Sequence, residues 1–182
     1  MTTYCEYCIT HPEDTFNVTY HDTEYGFPLD DDNLLFERLV LEINQAGLSW
    51  ITILRKADNF RKAYHKFNIA KVAKYGEKDV TRLLNDAGII RNRLKVNAAI
   101  INAQKILQLQ KECGSFRNWL DANHPLTKEE WTKLFKKTFV FTGGEIVNEF
   151  LMSTGYLPGA HQESCHVYKK VASLRPAWMR RR

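Results

Sequence analysis

The residues best suited to bind a metal lie near the two ends of this 182-residue chain. They are Cys5, Cys8, His11 and His21 near the start, and His161, Cys165 and His166 near the finish. Because His161 and Cys165 are four residues apart, one helical turn or tight loop can direct both side chains at a single ion. Two ligands from each end make a tetrahedral Cys2His2 site, most simply Cys5, His21, His161 and Cys165, with Cys8 as the rival of Cys5. The alternative is a set of unrelated thiols and surface imidazoles.

Such a site would hold a structural Zn²⁺. Four protein ligands leave no open position at the metal for a substrate water. The ion would instead hold the two chain ends across the body of the protein, and its binding free energy would contribute directly to folding.

A carboxylate interrupts an apolar stripe on a predicted helix. Leu35, Leu39, Glu42 and Ala46 follow helical spacing and share one face, which should point to the core. A carboxylate in that place is costly unless it is paired or lies in a pocket. Glu42 is therefore either a member of a structural ion pair, a carboxylate at a helix end, or a site residue.

Aromatic residues accompany Glu42 in the sequence. Trp50 follows it across a tight turn, and Tyr20 and Tyr25 belong to a second polar and aromatic cluster. Aromatic faces with a carboxylate suit a flat, electron-poor base, because the rings stack on it and the carboxylate attracts its positive charge. We predict that Glu42 is catalytic and that Tyr20, Tyr25, Glu42 and Trp50 bind the base. An aromatic residue taken by itself is more often part of the core than of a site.

A helix, a glycine turn and a second helix follow one another around Gly88. Such a turn exposes backbone N–H groups at the start of the second helix, where a phosphate can bind. Arg91, Arg93 and Lys95 come next and would add attraction that does not depend on nucleotide sequence. The pattern therefore predicts contacts with a nucleic-acid backbone.

The overall charge agrees with a polyanionic partner. The chain carries a formal net charge of +5, and its isoelectric point is about 9.0, which favours nucleic acid. Its apolar runs are too short to span a membrane, and its first residues lack the pattern of a secretory signal. We expect a cytoplasmic protein in which the cysteines are thiols or metal ligands.

Helices must position these residues. Helical periodicity and capping residues predict helices at 34–43, from Trp50 onward, after Asn68, and at 77–85, 92–111, 116–123, 128–136 and 145–154. Strand-like alternation is almost absent, so we predict an all-α fold in one domain spanning 1–182. Residues 1–28 and about 158–182 look irregular, and we expect the zinc to hold them together as a terminal lobe.

Three segments resemble the bacterial DNA-3-methyladenine glycosylase I family. They are residues 20–26 (YHDTEYG), 41–52 (LEINQAGLSWIT) and 86–91 (DAGIIR). The resemblance runs from Cys5 to about Cys165 and implies a helix-hairpin-helix DNA glycosylase fold with a structural zinc. The family's zinc ligands would correspond to Cys5, His21, His161 and Cys165.

The resemblance also implies roles at the site. Glu42 matches the base-recognising carboxylate, and Tyr20 and Trp50 match aromatic residues that line the base pocket. Gly47 and Leu48 match the tip that inserts into the duplex, and the turn around Gly88 matches the hairpin that grips the DNA backbone. The implied activity is monofunctional hydrolytic release of 3-methyladenine from alkylated double-stranded DNA, by a monomer without an obligate protein partner.

The sequence departs from the family's usual pattern at several positions. Tyr25 stands where a Trp is common, Glu145 lies in a stretch that is usually uncharged and rich in Gly, and Met152 stands where a Gln is expected. We expect Glu145 and Met152 to alter the polarity of the pocket.

Three rival functions remain open on the sequence. The first is a relative that binds alkylated DNA without catalysis. The second is a zinc-dependent hydrolase of a small molecule, which needs an open metal site. The third is a helical interaction protein, which would leave Glu42 without a role.

Overall fold

The structure, a computed structural model, describes residues 2–180 and contains only helices and turns in that range. The helices are α1 (Tyr4–Thr10), α2 (Thr15–Thr23), α3 (Asp32–Gln45), α4 (Trp50–Ala63), α5 (Ile69–Val72), α6 (Glu77–Leu84), α7 (Arg93–Cys113), α8 (Phe116–Asn123), α9 (Lys128–Thr138), α10 (Gly144–Ser153) and α11 (Tyr168–Ser173). Single 3-10 turns lie at His65–Phe67 and Ala177–Met179. The all-α prediction is confirmed, and the helices predicted between residues 34 and 154 are present with ends displaced by a few residues.

Helix α3 lies at the centre of the fold. Its residues 35–44 are all buried, and α4, α5, α7, α8 and α10 pack around it. Asp31 caps its start by accepting hydrogen bonds from the backbone N–H groups of Asn33 (2.7 Å) and Leu34 (3.1 Å). The carboxylate of Asp32 accepts from the N–H groups of Phe116 (2.9 Å) and Arg117 (3.1 Å), which joins α3 to the start of α8.

The apolar residues form two separate clusters. The large one fills the space around α3 and includes the fully buried side chains of Phe36, Phe60, Trp131 and Phe150. The small one joins the two ends of the chain through Cys5, Cys165, Val167 and Val171. The chain termini are thus held against each other by a small core of their own.

The expectation of an irregular N-terminal segment is wrong, because α1 and α2 occupy most of it. A capping box starts α1: the Thr3 hydroxyl accepts from the Glu6 N–H (3.2 Å), and the Glu6 carboxylate accepts from the Thr3 N–H (2.8 Å). The inward residues of α1 are Cys5 and Cys8, and those of α2 include Tyr20 and His21. A search for apolar periodicity misses helices whose buried face is made of such residues. The C-terminal segment is less regular and contains only α11 and one 3-10 turn.

No helix within residues 2–180 is both long enough and apolar enough to cross a membrane. Two arginines of the basic C-terminal tail, residues 181 and 182, lie outside the described residues.

Candidate active site

Glu42 lies in a pocket enclosed by aromatic side chains. The Glu42 residue is only 3% exposed. The cavity beside it measures about 240 Å³ and is lined by Tyr4, Tyr20, Tyr25, Glu42, Gln45, Trp50 and Glu149. This volume is below the roughly 300–1,000 Å³ of pockets for drug-sized ligands, as expected of a site for one small planar molecule. The structure therefore brings together all four residues predicted to bind the base, in what we call the Glu42 pocket.

The aromatic wall of the pocket is formed by residues from three segments. The rings of Tyr20 and Trp50 lie 5.1 Å apart, and those of Tyr20 and Tyr25 lie 5.7 Å apart. The Tyr20 hydroxyl accepts a hydrogen bond from Arg38 (2.8 Å), which fixes the Tyr20 ring from behind. The buried indole N–H of Trp50 has no hydrogen-bond partner within residues 2–180, so one donor in this region is free for an acceptor atom of a bound molecule.

The Glu42 carboxyl has a strongly altered affinity for protons. Burial raises its pKa to about 8; the charge of Arg38 opposes this shift and that of Glu149 adds to it. Arg38 is the nearest cation among these causes, but its guanidinium also donates to Glu24 (3.1 Å). Glu42 is therefore not a member of a simple buried ion pair, and at neutral pH the empty pocket favours its protonated form.

Sequence reasoning missed Glu149, a second carboxylate in the Glu42 pocket. Glu149 is half-buried on α10 and accepts a hydrogen bond from the Tyr25 hydroxyl at 3.3 Å. The signal in the sequence was its place beside Phe150 and Leu151, which form the buried face of α10. A polar residue at the margin of a buried helix face is a candidate for a cavity wall.

The expectation that Glu145 and Met152 shape the pocket is not matched by their positions, since neither residue lines it. The Glu145 side chain is 85% exposed and pairs with Lys128 at 3.2 Å. Met152 instead packs toward Gly159, where an added Cβ would lie 3.2 Å from the Met152 sulfur. On α10 both residues lie one turn from Glu149 on the same side of the helix, beyond the part of that face that borders the cavity.

The predicted metal ligands come together in one buried cluster. The ligand atoms of Cys5, His21, His161 and Cys165 all lie within 4.8 Å of one another. The Cys165 Sγ is 3.6 Å from His21 Nε2 and 3.7 Å from His161 Nδ1, and the Cys5 Sγ is 3.8 Å from His161 Nδ1. Tetrahedral Zn²⁺ with ordinary bond lengths places sulfur and nitrogen ligands about 3.5 Å apart. We call these four residues the Cys/His cluster.

The second nitrogen of each histidine in the cluster has its own partner. His161 Nε2 lies 2.7 Å from the Tyr25 carbonyl oxygen, and His21 Nδ1 lies 2.6 Å from an Asp22 carboxylate oxygen. An N–H donated to each of these oxygens leaves the opposite nitrogen unprotonated toward the cysteines, the arrangement found around histidine ligands of metals. The donor set and its outer contacts fit a Zn²⁺ ion.

Cys8, the rival of Cys5, lies outside the Cys/His cluster. It is buried on the same helix, and burial raises its pKa to about 11, so that it stays a thiol. Cys113, the remaining cysteine, is partly exposed at the end of α7.

The turn between α3 and α4 presents an exposed tip. Gly47 has a φ of +81°, and no atom would lie within 4 Å of a Cβ added there, while Leu48 is 39% exposed. Ser49 occupies the first position before α4, but its hydroxyl contacts Thr52 Oγ1 (2.8 Å) and makes no capping bond to the backbone. The left-handed conformation at Gly47 suits glycine and allows the apolar Leu48 to protrude.

Lys95 holds this tip from α7. The residue is only 6% exposed, and its ammonium donates to the carbonyl oxygens of Asn44 (2.9 Å) and Ala46 (2.7 Å). These carbonyls belong to the end of α3, where positive charge is favourable. Two of the three ammonium donors of Lys95 are therefore used inside the protein, which argues against the predicted contact of this residue with a phosphate.

The turn between α6 and α7 is held by short internal contacts. The Gly88 N–H donates to the Asp86 carboxylate (2.7 Å), and Lys56 donates to the Ala87 carbonyl (3.0 Å). A Cβ at Gly88 would lie 2.9 Å from that same carboxylate and 3.2 Å from Asn59, so a side chain there would displace the Asp86 carboxylate from its bond to the Gly88 N–H. Arg91 and Arg93 are exposed beside the turn; Arg93 makes a long contact of 3.7 Å with Glu77.

The sequence profile of the methyladenine glycosylase family matches residues 10–134 of the chain. The chain belongs to this family. It is 37% identical to DNA-3-methyladenine glycosylase 1 of Escherichia coli (strain K12), over 90% of this chain and 97% of that protein. It is also 37% identical to the DNA-3-methyladenine glycosylase of Haemophilus influenzae, over 91% of this chain and 97% of that protein.

Solved structures of family members share the fold. The Staphylococcus aureus 3-methyladenine DNA glycosylase I superimposes with a TM-score of 0.81 at 30% identity, over 91% of this chain and 97% of that one. A tyrosine-to-phenylalanine variant of a 3-methyladenine DNA glycosylase I, solved in complex with 3-methyladenine, gives a TM-score of 0.80 at 31% identity over 88% and 96% of the two chains. The arrangement of helices in this family member is therefore that of the methyladenine glycosylases.

Lys95→Met is expected to loosen the α3–α4 turn without removing a phosphate contact. The variant leaves two carbonyls at the end of α3 without their donor, which should lower the free energy of unfolding by about 1–3 kcal/mol. The salt dependence of DNA affinity should keep its slope, because a lysine that contacts a phosphate contributes about one unit to that slope. Urea unfolding and DNA binding at several salt concentrations measure both quantities. Arg91→Met is the control, and it is expected to reduce the slope of DNA affinity against salt concentration. If Lys95→Met reduces that slope and leaves stability unchanged, the structural role assigned to Lys95 is contradicted.

Glu42→Gln is expected to change how stability depends on pH. In the folded protein the Glu42 pKa is about 8, above its usual value of 4.5. Between these two pKa values the folded state binds more protons than the unfolded state. The free energy of unfolding of wild type therefore falls as the pH rises from 4.5 to 8, and this carboxyl causes no further loss above pH 8. The variant lacks this loss, so its stability relative to wild type should increase between about pH 5 and about pH 8.5. Parallel urea-unfolding profiles for the two proteins would show that the Glu42 pKa is not raised.

Proposed function

We propose that the protein releases 3-methyladenine from alkylated double-stranded DNA by hydrolysing the N-glycosidic bond and leaves an abasic site. The observation that carries this proposal is the buried carboxyl of Glu42 in a small aromatic pocket, within a chain whose relatives are named DNA-3-methyladenine glycosylases. Because the Glu42 carboxyl is buried, a nucleotide must leave the base stack to reach it.

The reaction needs little acid catalysis. Methylation at N3 gives the adenine base a positive charge, and the bond between the base and C1′ of the sugar is weakened accordingly. As this bond breaks, its electron pair goes to the base, which departs neutral, while the sugar acquires positive charge. A water oxygen bonds to C1′ and releases a proton to solvent. The protein must flip, hold and orient the nucleotide rather than supply a covalent nucleophile.

In the pocket, the aromatic residues would stack on the base and Glu42 would interact with its charge. Tyr20, Tyr25 and Trp50 offer aromatic faces for the cationic ring. Glu42 is the catalytic carboxyl: it reads the exocyclic amine and ring nitrogen of the base, and its negative form stabilises the nearby positive charge. Its raised pKa means that a bound cation restores the ionised form that burial disfavours.

The exposed turns would engage the duplex. Leu48 at the Gly47 tip would fill the gap in the base stack left by the flipped nucleotide, and its exposure supports this role. The turn at Gly88 with Arg91 and Arg93 would grip the backbone as the hairpin of a helix-hairpin-helix motif. We propose that the protein acts as a monomer in the cytoplasm, with alkylated DNA as its partner.

The Cys/His cluster would hold a structural Zn²⁺. All four ligands are buried protein side chains, so the ion would have no open position for substrate. When bound, the ion would only link the two N-terminal helices, α1 and α2, to the segment around Cys165. This link would lie close to the wall of the Glu42 pocket.

The proposed activity is tested by base release from methylated duplex DNA. The freed bases are separated and identified by chromatography. We expect 3-methyladenine to be released and 7-methylguanine to remain in the DNA, because the pocket is small. Glu42→Gln should lower kcat/KM for release by at least about tenfold, the effect of losing a charged hydrogen bond.

Glu37→Gln is the matched control. Glu37 is also buried on α3 but pairs with Arg61 at 2.8 Å and does not line the pocket, so this variant should keep the activity of wild type. If the protein binds alkylated duplex DNA but releases no base, it is a non-catalytic damage-binding protein and not the proposed enzyme.

Metal analysis tests the proposed Zn²⁺. The purified protein should contain one zinc ion per chain, and Cys5→Ser should lose it, whereas Cys8→Ser should retain it. Removal of zinc by a chelator should lower the midpoint of thermal unfolding, while the fraction that remains folded keeps its specific activity. Loss of zinc in Cys8→Ser but not in Cys5→Ser would overturn the ligand set.

A further inference from the structure

A carboxylate and an imidazole meet directly beside the Cys/His cluster. Asp22 follows His21 in the sequence, and His166 follows Cys165. One carboxylate oxygen of Asp22, Oδ1, lies 2.6 Å from His21 Nδ1 and 3.2 Å from His166 Nε2. The two chain ends therefore meet twice at this point, once through His21 and Cys165 and once through the residues that follow them.

The two contacts of Asp22 differ in their surroundings. The side chain of His166 is 59% exposed and that of Asp22 is 35% exposed, so the contact between them is worth little by itself. The contact between Asp22 and His21 reaches a fully buried ring. The other nitrogen of that ring, His21 Nε2, lies 3.6 Å from Cys165 Sγ inside the cluster.

His21, Asp22 and His166 have the composition of a second metal site, since their ligand atoms lie within 4.8 Å of one another. A neutral imidazole, however, has one N–H and one lone pair. If His21 Nε2 gives its lone pair to an ion among the cysteines, Nδ1 carries the proton and has no lone pair for a second ion. At 2.6 Å this N–H donates to Asp22. The group is therefore better suited to support the Cys/His cluster than to hold an ion of its own.

The two histidines of the cluster are oriented by different kinds of acceptor. His161 Nε2 lies 2.7 Å from the backbone carbonyl oxygen of Tyr25, whereas His21 is held by a carboxylate. A carboxylate is the stronger acceptor. It fixes the tautomer and the orientation of the ring, and it raises the basicity of the nitrogen that faces a metal. Asp22 is also the one of these two acceptors that a side-chain substitution removes.

We propose that Asp22 is a positioning residue for the metal site. It holds His21 as the Nδ1–H tautomer, with Nε2 free to bind the ion, and His166 holds the Asp22 carboxylate in place from the other chain end. This inference rests on the proposed Zn²⁺. It assigns to neither residue a contact with the ion, and it makes the affinity for zinc depend on a residue outside the ligand set.

The test is the Kd for Zn²⁺, measured by competition with a chromophoric chelator. Asp22→Ala should raise this Kd by about 10–100-fold, the usual effect of removing the outer acceptor of a histidine ligand. Asp22→Asn should raise it less, because the amide oxygen can still accept from the His21 N–H. His166→Ala should also raise it less than Asp22→Ala, since Asp22 then keeps its bond to His21.

Glu163→Ala is the matched control. Glu163 lies two residues from both His161 and Cys165, but it is exposed and belongs to neither group of potential ligands. The variant removes the same charge from the neighbourhood of the ion and should leave the zinc Kd almost unchanged. An equal rise in Kd for Glu163→Ala and Asp22→Ala would show that only net charge matters, and it would overturn the proposal.

Two further measurements on the zinc-loaded proteins separate positioning from a merely structural role. Thermal unfolding checks that each variant is folded; a lower midpoint with an unchanged zinc Kd in Asp22→Ala would show that Asp22 acts on stability alone and would reject the proposal. The proton NMR spectrum of wild type should contain a far-downfield signal from the His21 Nδ1–H in its short hydrogen bond, and Asp22→Ala should lose this signal.

Metal stoichiometry separates this inference from the proposed Zn²⁺. If wild type contains no zinc and binds none when Zn²⁺ is added, the proposed metal site itself fails. If wild type and Asp22→Ala each bind one ion with the same Kd, the metal site stands and the role of Asp22 is rejected. If wild type binds two ions and Asp22→Ala binds one, Asp22 is a ligand of a second site, which also contradicts the proposal.

Discussion

The burial of the Glu42 carboxyl is the constraint on which the rest of the site depends. A buried carboxylate is costly, and because burial outweighs the opposing charge of Arg38, the Glu42 carboxyl keeps its proton up to about pH 8. Its surroundings maintain that state: aromatic rings exclude water, and Arg38 is directed to Tyr20 and Glu24. A cationic ligand relieves the same cost.

A site built on one buried group requires that its helix be fixed at both ends. At the start of α3, Asp32 accepts hydrogen bonds from the first N–H groups of α8 and from the Gln110 amide (2.7 Å). At its end, the Lys95 ammonium binds the carbonyls of Asn44 and Ala46. The carboxyl of Glu42 and the tip at Gly47 therefore keep a constant separation. In the proposed reaction, a nucleotide that flips as the tip enters the duplex would find the pocket at a defined distance.

Much of the fold could be predicted from the sequence, because the helices between residues 34 and 154 bury regular apolar faces. Glu42 could be predicted for a related reason, since an acid on an apolar stripe is conspicuous. Apolar periodicity could not reveal α1 and α2, which bury thiols, imidazole and phenol instead of aliphatic groups. Lys95 is predicted to contact DNA because the nearby arginines place it in a basic run, whereas the structure buries it. Its place next to Val96 on the buried face of α7 was the better signal.

The Cys/His cluster and the Glu42 pocket are connected through the chain around Tyr25. On α2, Tyr20 faces the pocket while the next residue, His21, faces the cysteines. The Tyr25 ring lines the pocket, and its carbonyl receives the hydrogen bond from His161. Gly26 follows with a φ of +80°, and a Cβ there would lie 2.7 Å from Ala160, so this approach of the two chain ends requires glycine. The Tyr25 segment therefore makes hydrogen bonds both to the Cys/His cluster, through its carbonyl, and to Glu149, through its hydroxyl.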